Sequence, residues 1–174
     1  MKTGFRHFMS IIVLIITFAI PATGAELKHY VDKKEKFEVS YPDDWSIRSE
    51  EPKYAAIISN KDETVNIGIM VIKRNTNVSA REYLDDVEKV LEVNNTLTEK
   101  EQIYDKNELK LIGAEEGQKG KYIVDNSEIT MTISYFVFTR TNKVFVITRT
   151  ILSNLQDKHE ETLKLILHSF KIIG

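Results

Sequence analysis

Three of the four histidines lie after residue 25, and they are the side chains best suited to metal or acid–base chemistry. His159 is followed by Glu160 and Glu161, an order that begins like the helical zinc-protease motif. That motif needs a second histidine four residues after the first, and Leu163 occupies this position. His168 follows His159 by about two and a half helical turns, so one helix would place them on opposite faces. We predict no metal site here and interpret these histidines as structural.

Nucleophilic and phosphate-binding motifs are also missing from the sequence. The chain has no cysteine, so thiol catalysis, zinc–thiolate sites and disulfides are excluded. No Gly-x-Ser-x-Gly nucleophile turn occurs, and Gly117 and Gly120 are too closely spaced for a phosphate loop. Asp43 and Asp44 offer a weak cation site, but calcium needs about six to eight oxygens, so a hydrated turn is favoured. We predict that the chain is not an enzyme.

Two other patterns suit binding rather than catalysis. Tyr41 and Trp45 could form a ligand-stacking platform, but aromatic residues at strand spacing are more typical of a core. Four lysines are clustered near the start of the predicted domain: Lys28, Lys33, Lys34 and Lys36. They could contact an acidic partner, although Asp32 and Glu35 interrupt the cluster, which favours a solvated edge.

The first 25 residues have the organisation of a secretory signal peptide. Two basic residues precede an apolar run over residues 8–20, and Pro21 with four small residues follows. A bilayer-spanning helix needs roughly 20 mostly apolar residues, and this run is shorter. We expect cleavage near residue 25, which leaves residues 26–174 as one domain that is periplasmic or secreted. The alternative is an uncleaved signal anchor.

The size and charge of the predicted mature chain indicate how many domains it has and which partners are excluded. About 150 residues is the usual length of one domain and suffices for a core without disulfides. The whole chain has 24 basic and 26 acidic side chains, and the leader contains two of the basic ones, which leaves 22 against 26 and a net charge of −4. Such a balance gives no general attraction to nucleic acid, and we predict no nucleic-acid partner.

Period-two alternation of apolar residues predicts an antiparallel sheet of six to eight strands. The candidate segments for these six to eight strands cover residues 37–41, 45–47, 54–59, 65–72, 103–104, 109–112, 122–124, 129–139 and 144–152. The strand at 65–72 is apolar on both faces, which indicates a central position. Gly113, Gly117 and Gly120 are interpreted as bends or bulges.

Two helices are predicted beside this sheet. Ser79 with Glu82 forms a capping box that begins the first helix, and Asn94 with Asn95 ends it. The second helix begins near Ser153 and continues to about residue 170. Their apolar stripes must lie on the sheet, so the expected fold is α+β, with an antiparallel sheet sandwiched by helices.

Three segments of the sequence form a familiar set: residues 37–45 (FEVSYPDDW), residues 142–148 and residues 167–172. In this order they resemble the opening, the late strand and the closing helix-to-strand element of the PsbP-like family. The resemblance spans about residues 30–173 and implies an α/β/α sandwich around an antiparallel sheet. DcrB-like periplasmic proteins share the general pattern, and the two groups are not separated here.

The resemblance implies a non-catalytic role outside the cytoplasm. The best-known members of the family are extrinsic subunits on the lumenal side of photosystem II, where they help to retain inorganic cofactors. Because a fold does not carry its function with it, we keep the architecture and the location and leave the photosystem aside. We hypothesise an exported protein that binds or stabilises a membrane-associated or envelope partner; the alternative is a periplasmic small-molecule or ion carrier with a pocket between helix and sheet. The ligand, any cofactor and the oligomeric state stay open.

Overall fold

A computed structural model describes residues 26–49, 52–74, 79–92, 97–125 and 129–174. Side chains are described for these residues except residues 91–92, 97–103 and 125. The predicted signal peptide, the predicted end of the first helix at residues 94–95 and the turn at residues 126–127 lie outside the described residues.

Ten strands and three α-helices are present in this part of the chain. The strands are β1 (Leu27–Asp32), β2 (Phe37–Pro42), β3 (Ser46–Ser49), β4 (Ala56–Ser59), β5 (Val65–Lys73), β6 (Leu97–Ile103), β7 (Glu116–Asp125), β8 (Thr130–Arg140), β9 (Lys143–Leu152) and β10 (Lys171–Ile172). The helices are α1 (Ala80–Glu92), α2 (Lys106–Ile112) and α3 (Gln156–Ser169), and a short 3-10 turn precedes α3.

The strands form two antiparallel sheets. The larger sheet has seven strands in the order β3-β4-β5-β9-β8-β7-β6, and the smaller has the order β1-β2-β10. Helix α1 lies on one face of the large sheet over β7 and β8. The small sheet, α3 and α2 cover the opposite face. The predicted α+β sandwich is therefore confirmed, with β5 in an interior position of the large sheet.

The alternation of side chains along β9 produces two separate cores. Val144 and Val146 point towards α1 and pack with Leu84 of that helix. Phe145 and Ile147 point towards the small sheet and belong to the larger core. Since both faces of the central strands are covered, apolar residues occupy both positions of the period-two pattern.

The capping box predicted for α1 is present. The backbone N–H of Ser79 donates to the Glu82 carboxylate at 2.8 Å, and the backbone N–H of Glu82 donates to Ser79 Oγ at 3.1 Å. Two N–H groups that the helix start would leave unpaired are thereby satisfied. The cap fixes the helix start so that Ala80, fully buried, packs against the large sheet.

The strand predicted at residues 109–112 is wrong, because these residues belong to α2. Asp105 accepts hydrogen bonds from the first turn, and the Glu108 side chain accepts from the Asp105 backbone at 2.9 Å. Gly113 then ends the helix in the left-handed region, at φ 79°. The bend predicted at Gly113 is confirmed, and a second capping box made this segment helical.

The bend or bulge predicted at Gly117 is wrong, whereas the pairing of β6 with β7 shifts register between Glu99 and Gln102, opposite Gly120, so an irregularity does adjoin that glycine. Both glycines lie inside β7, in continuous register with β8. A Cβ at Gly120 would lie 2.5 Å from Tyr122 Oη, and one at Gly117 would lie 2.8 Å from Leu109 Cδ2. These glycines allow side chains to approach the strand closely, which is the other reason for glycine in a strand interior.

Candidate functional site

The predicted stacking pair, Tyr41 and Trp45, lies in the core. Tyr41 is 7% exposed and Trp45 is 6% exposed, and the edge of the Trp45 ring meets His159 with ring centroids 6.3 Å apart. Burial, followed by the charge of Lys158, lowers the pKa of His159 from its ordinary value. The favoured interpretation of these aromatic residues as core is confirmed.

The histidines are not brought together by the fold. His29 faces Glu38 at 3.6 Å and Ser40 at 3.3 Å on the small sheet. His159 contacts Trp45, and His168 is exposed at the end of α3. Among the residues that the structure describes, no group of three or more histidine, aspartate and glutamate side chains could hold a metal ion.

A cleft of about 730 Å³ lies between the β1–β2 turn and the segment that joins β3 to β4, and we call it the lysine cleft. Its described lining is Tyr30, Val31, Asp32, Lys33, Lys34, Glu35, Ser49, Pro52, Lys53, Tyr54, Ala55 and Val71. Two lysines of the basic cluster, Lys33 and Lys34, are thus part of a concave surface. Lys53 joins them from a distant point of the sequence.

Both acidic side chains of this lining are already engaged within the protein. Asp32 Oδ1 accepts the backbone N–H groups of Lys34 and Glu35 at 2.9 and 2.8 Å, which shapes the turn. The carboxylate of Glu35 lies 3.1 Å from Lys143 Nζ and 3.8 Å from Lys73 Nζ. Its side chain is only 14% exposed. Within the described part of the lining, little negative charge is therefore left to oppose the lysines.

Lys33, Lys34 and Lys53 are exposed. None of them has a carboxylate within ion-pair distance among residues 26–49, 52–74, 79–92, 97–125 and 129–174. Ammonium groups gathered at a concave surface raise the local positive potential and attract anionic ligands. The charge of the lysine cleft therefore suits an anionic group better than a cationic one.

A second cleft of about 290 Å³ lies on the face of the large sheet formed by β3, β4, β5 and β9, and we call it the sheet-face cleft. Its described lining is Arg48, Tyr54, Ile57, Glu63, Asn66, Gly68, Thr148 and Thr150. Thr148 is paired with Gly68 across β5 and β9. Its hydroxyl is buried and has no hydrogen bond with any described residue.

Tyr54 lines both clefts and separates them. Its ring lies against Gly68, where a Cβ would be 2.5 Å from Tyr54 Cε1. Only a glycine lets the ring approach the strand this closely. The position of the wall between the clefts therefore depends on one missing methyl group.

Other tyrosine hydroxyls near this wall stay protonated at physiological pH. Burial is the main cause that raises the pKa of Tyr135, and the neighbouring Tyr54 and Tyr83 add to it. Burial also raises the pKa of Tyr83, although Arg74 opposes that shift. A raised pKa suits a hydrogen-bond donor and not a general base.

Neither cleft was predicted as such, because each joins distant segments. The basic cluster was the only sequence signal for the lysine cleft, and nothing in the sequence indicated Tyr54 or Lys53. No helix within the described residues is long and apolar enough to cross a bilayer.

Several solved structures share this fold at low sequence identity. Cyanobacterial PsbP (CyanoP) from Synechocystis sp. PCC 6803 has a TM-score of 0.61 and 15% identity, covering 90% of this chain and 98% of that one. LpqN of Mycobacterium tuberculosis, which is involved in cell envelope biogenesis, has a TM-score of 0.62 and 11% identity, covering 87% and 92%. The Ran-binding protein Mog1p of Saccharomyces cerevisiae has a TM-score of 0.58 and 11% identity, covering 86% and 97%.

Sequence comparison places the chain in one family. No curated protein sequence matches it closely enough to count as a relative. The sequence pattern of the PsbP family, in contrast, matches residues 25–172, nearly the whole described domain. The antiparallel sheet, the helices on both of its faces and this match agree with the resemblance found in the three short segments. The chain therefore belongs to the PsbP family.

Proposed function

We propose that the chain is an exported, non-catalytic protein that binds an acidic segment of a membrane-associated or envelope protein through the lysine cleft. One observation carries this proposal. Lys33, Lys34 and Lys53 face a common cleft without a described carboxylate partner, while Asp32 and Glu35 are engaged within the protein. An acidic segment would supply the missing counter-charges.

Export is supported by the leader and by the point where the packed domain begins. β1 starts at Leu27, and the family match starts at residue 25. N-terminal sequencing of the mature protein tests this part of the proposal. We expect the first residue to be Ala25 or Glu26, whereas a mature chain that retains residues 8–20 would favour the membrane anchor instead.

A binding role fits the chemistry of the clefts better than catalysis does. The lysine cleft gathers lysines and two tyrosines beside engaged carboxylates, and His159 and His168 line neither cleft. Mog1p, whose name records that it binds the protein Ran, has the same fold. Such a fold presents rigid surfaces to partners without a reactive side chain.

The carrier hypothesis has less support. It places a pocket between helix and sheet near Tyr41, Trp45 or the long hairpin of residues 122–139, and none of these residues that the structure describes lines either of the two clefts. Strands and loops, not helices, form the described walls of both clefts. A surface of this kind suits a chain segment better than an enclosed small molecule.

Partner capture from the native cell envelope, with matched charge variants, tests the proposal. The cleft variant carries Lys33→Glu, Lys34→Glu and Lys53→Glu. The control variant has the same charge change at three exposed lysines outside the cleft: Lys61, Lys106 and Lys110. We expect a partner that the wild type and the control variant retain and that the cleft variant loses.

Two further outcomes complete the test. Equal capture by both variants would refute the lysine cleft as the binding surface. Glu50 and Glu51, which lie outside the described residues, follow Ser49 and precede Pro52 of the lining in the sequence, so a third variant with Glu50→Gln and Glu51→Gln removes two negative charges from this stretch of the chain. That variant should retain the partner at higher ionic strength than the wild type.

A further inference from the structure

We propose that the partner segment binds the lysine cleft as an added β-strand along the outer edge of β1. This inference rests on the proposed function and specifies its mode of recognition. Strand addition uses backbone hydrogen bonds for affinity and side chains for selectivity.

The outer edge of β1 has backbone groups that no described strand uses. In the order β1-β2-β10, β1 pairs only with β2. The backbone N–H of Asp43 donates to the Glu26 carbonyl at 2.8 Å, which sets the alternation of this antiparallel pair. Along β1, every second residue after Glu26 directs its backbone N–H and C=O towards β2. The residues between them, Leu27, His29 and Val31, therefore direct these groups away from β2.

The other edge of β2 gives an independent check of this alternation. Ser40 of β2 is paired with His29. The backbone N–H of Ser40 donates to Ser169 Oγ at 2.8 Å, and its carbonyl accepts from the same hydroxyl at 3.1 Å. The backbone N–H and C=O of Ser40 both point away from β1, so they form no hydrogen bonds with the backbone of His29, the residue paired with Ser40. The outward direction of the His29 groups follows.

The lysine cleft reaches this edge at the end of β1. Tyr30, Val31 and Asp32, the last three residues of the strand, all line it, although successive side chains of a strand point to opposite faces. Consecutive residues of both orientations place the edge of the strand, and not one face of the small sheet, in the wall of the cleft. Residues 52–55 line the opposite side, so an added strand that pairs with Val31 would enter the cleft.

The residues around the edge select an acidic partner over a second copy of this protein. Lys33 and Lys34 follow the strand, and Lys53 lies on the facing wall. A second copy of β1 lacks the counter-charges, because the only carboxylate of its sequence LKHYVD is Asp32, which already accepts N–H groups of its own turn. Exposed Leu27 and Val31 offer apolar contacts to alternate side chains of the incoming strand. The fitting occupant is an extended segment in which acidic and apolar residues alternate.

A synthetic peptide provides the test. The probe is acetyl-Glu-Val-Glu-Val-Glu-Val-amide, and the first control is the same peptide with alternate backbone amides N-methylated, so that its charge is unchanged. Amide hydrogen exchange of the full mature domain is followed by NMR. We expect the unmodified peptide to slow exchange at His29 and Val31 by about tenfold or more, with little change at Lys28 and Tyr30, which already face β2.

The pattern of outcomes separates the inference from the function on which it rests. Equal binding of both peptides, without alternating protection along β1, would overturn strand addition and leave charge recognition by the cleft intact. Binding of neither peptide at low salt would overturn both. Slowed exchange at the same amides without peptide, together with a concentration-dependent dimer, would identify a second copy as the occupant and overturn the acidic-segment assignment.

A variant pair confirms the edge without changing charge. Val31→Pro removes one outward N–H at a position where an edge strand tolerates proline, and Val31→Thr keeps it. We expect Val31→Pro to weaken peptide binding by about fivefold to tenfold relative to Val31→Thr, as one lost hydrogen bond implies. Equal affinities of two folded variants would contradict strand addition. If Val31→Pro fails to fold, the N-methylated peptide still decides.

Discussion

Gly68→Ala tests whether the wall between the two clefts depends on a glycine. A Cβ at this position would lie 2.5 Å from Tyr54 Cε1 and 2.8 Å from Tyr54 Cδ1. Carbon atoms pack at about 3.5–4.0 Å, so the ring must retreat by about 1 Å. Overpacking of this size costs roughly 1–3 kcal/mol, and we expect Gly68→Ala to lower the free energy of unfolding by that amount.

The same substitution should behave differently when the ring is absent. In a Tyr54→Ala background the new methyl group meets no ring, and alanine is favoured over glycine in a strand interior by roughly 0.5–1 kcal/mol. Gly68→Ala should then be neutral or slightly stabilising. The double-mutant cycle therefore gives a coupling free energy of about 1–4 kcal/mol between the two sites.

Urea unfolding at 25 °C measures all four proteins of the cycle. Trp45, the only tryptophan, is 6% exposed and reports loss of the core by fluorescence. Gly120→Ala is the matched control, because its neighbour is Tyr122 and not Tyr54, so its cost should be the same with and without the Tyr54 ring. If Gly68→Ala has equal cost in both backgrounds, the ring does not rest on Gly68 and the argument for the wall fails.

Three further predictions concern the core and its polar contacts. Phe170→Ala, at a ring that is 1% exposed and joins both sheets, should cost about 3–5 kcal/mol in urea unfolding, whereas exposed Leu111→Ala should change stability by less than about 0.5 kcal/mol; a similar cost at both sites would contradict the assigned core. Glu160→Gln removes the carboxylate 3.2 Å from buried Arg149 and should cost about 1–3 kcal/mol, and a neutral effect would show that Arg149 has another counter-charge. Burial lowers the pKa of His159 in the folded protein, so as the pH falls the imidazole of the unfolded chain is protonated first. The contribution of neutral His159 to stability is therefore complete above about pH 6.5 and is lost as the pH falls towards the folded pKa. Thermal unfolding between pH 5 and 8 should show a shallower pH dependence for His159→Gln than for the wild type, and parallel profiles would refute this.

The interior strands could be predicted because the side chains on both of their faces are buried. Along β5 and β9, apolar residues fill both faces, and that pattern arises only where both faces are covered. The edge strands β1 and β6 were not predicted, because an edge strand does not need apolar residues on both faces. Their sequences, LKHYVD and LTEKEQI, carry charges that an edge tolerates and that hide the alternation.

Local chemistry that was available in the sequence was overlooked at α2. Asp105 and Glu108 have the spacing of a capping box, as Ser79 and Glu82 do, yet the short apolar run after them resembled a strand. Helix and strand are hard to distinguish over so few residues by periodicity alone. The capping box satisfies backbone N–H groups at the start of this segment, and the segment is therefore a helix.

The clefts were beyond prediction because tertiary contacts build them. Glu35 is engaged by Lys73 and Lys143, whose positions follow from the pairing of β5 with β9. From sequence alone, Glu35 only interrupts a basic cluster and weakens the case for an anion-binding surface. In the folded protein, Lys73 and Lys143 compensate the charge of Glu35, and the exposed lysines of the lining set the charge of the cleft.

The position of β2 between the first and last strands also sets the order in which the domain is completed. β10 adds to β2 at Glu38, and the backbone N–H of Ile173 donates to the Lys36 carbonyl at 2.9 Å, beside the turn that bears the lysines. A chain that crosses a membrane with its N-terminus first delivers β1 and β2 long before this last strand arrives. In a chain exported as we propose, the edge of β2 that β10 later covers therefore stays unpaired until the end of translocation. Association of that edge with another chain is the risk during this interval.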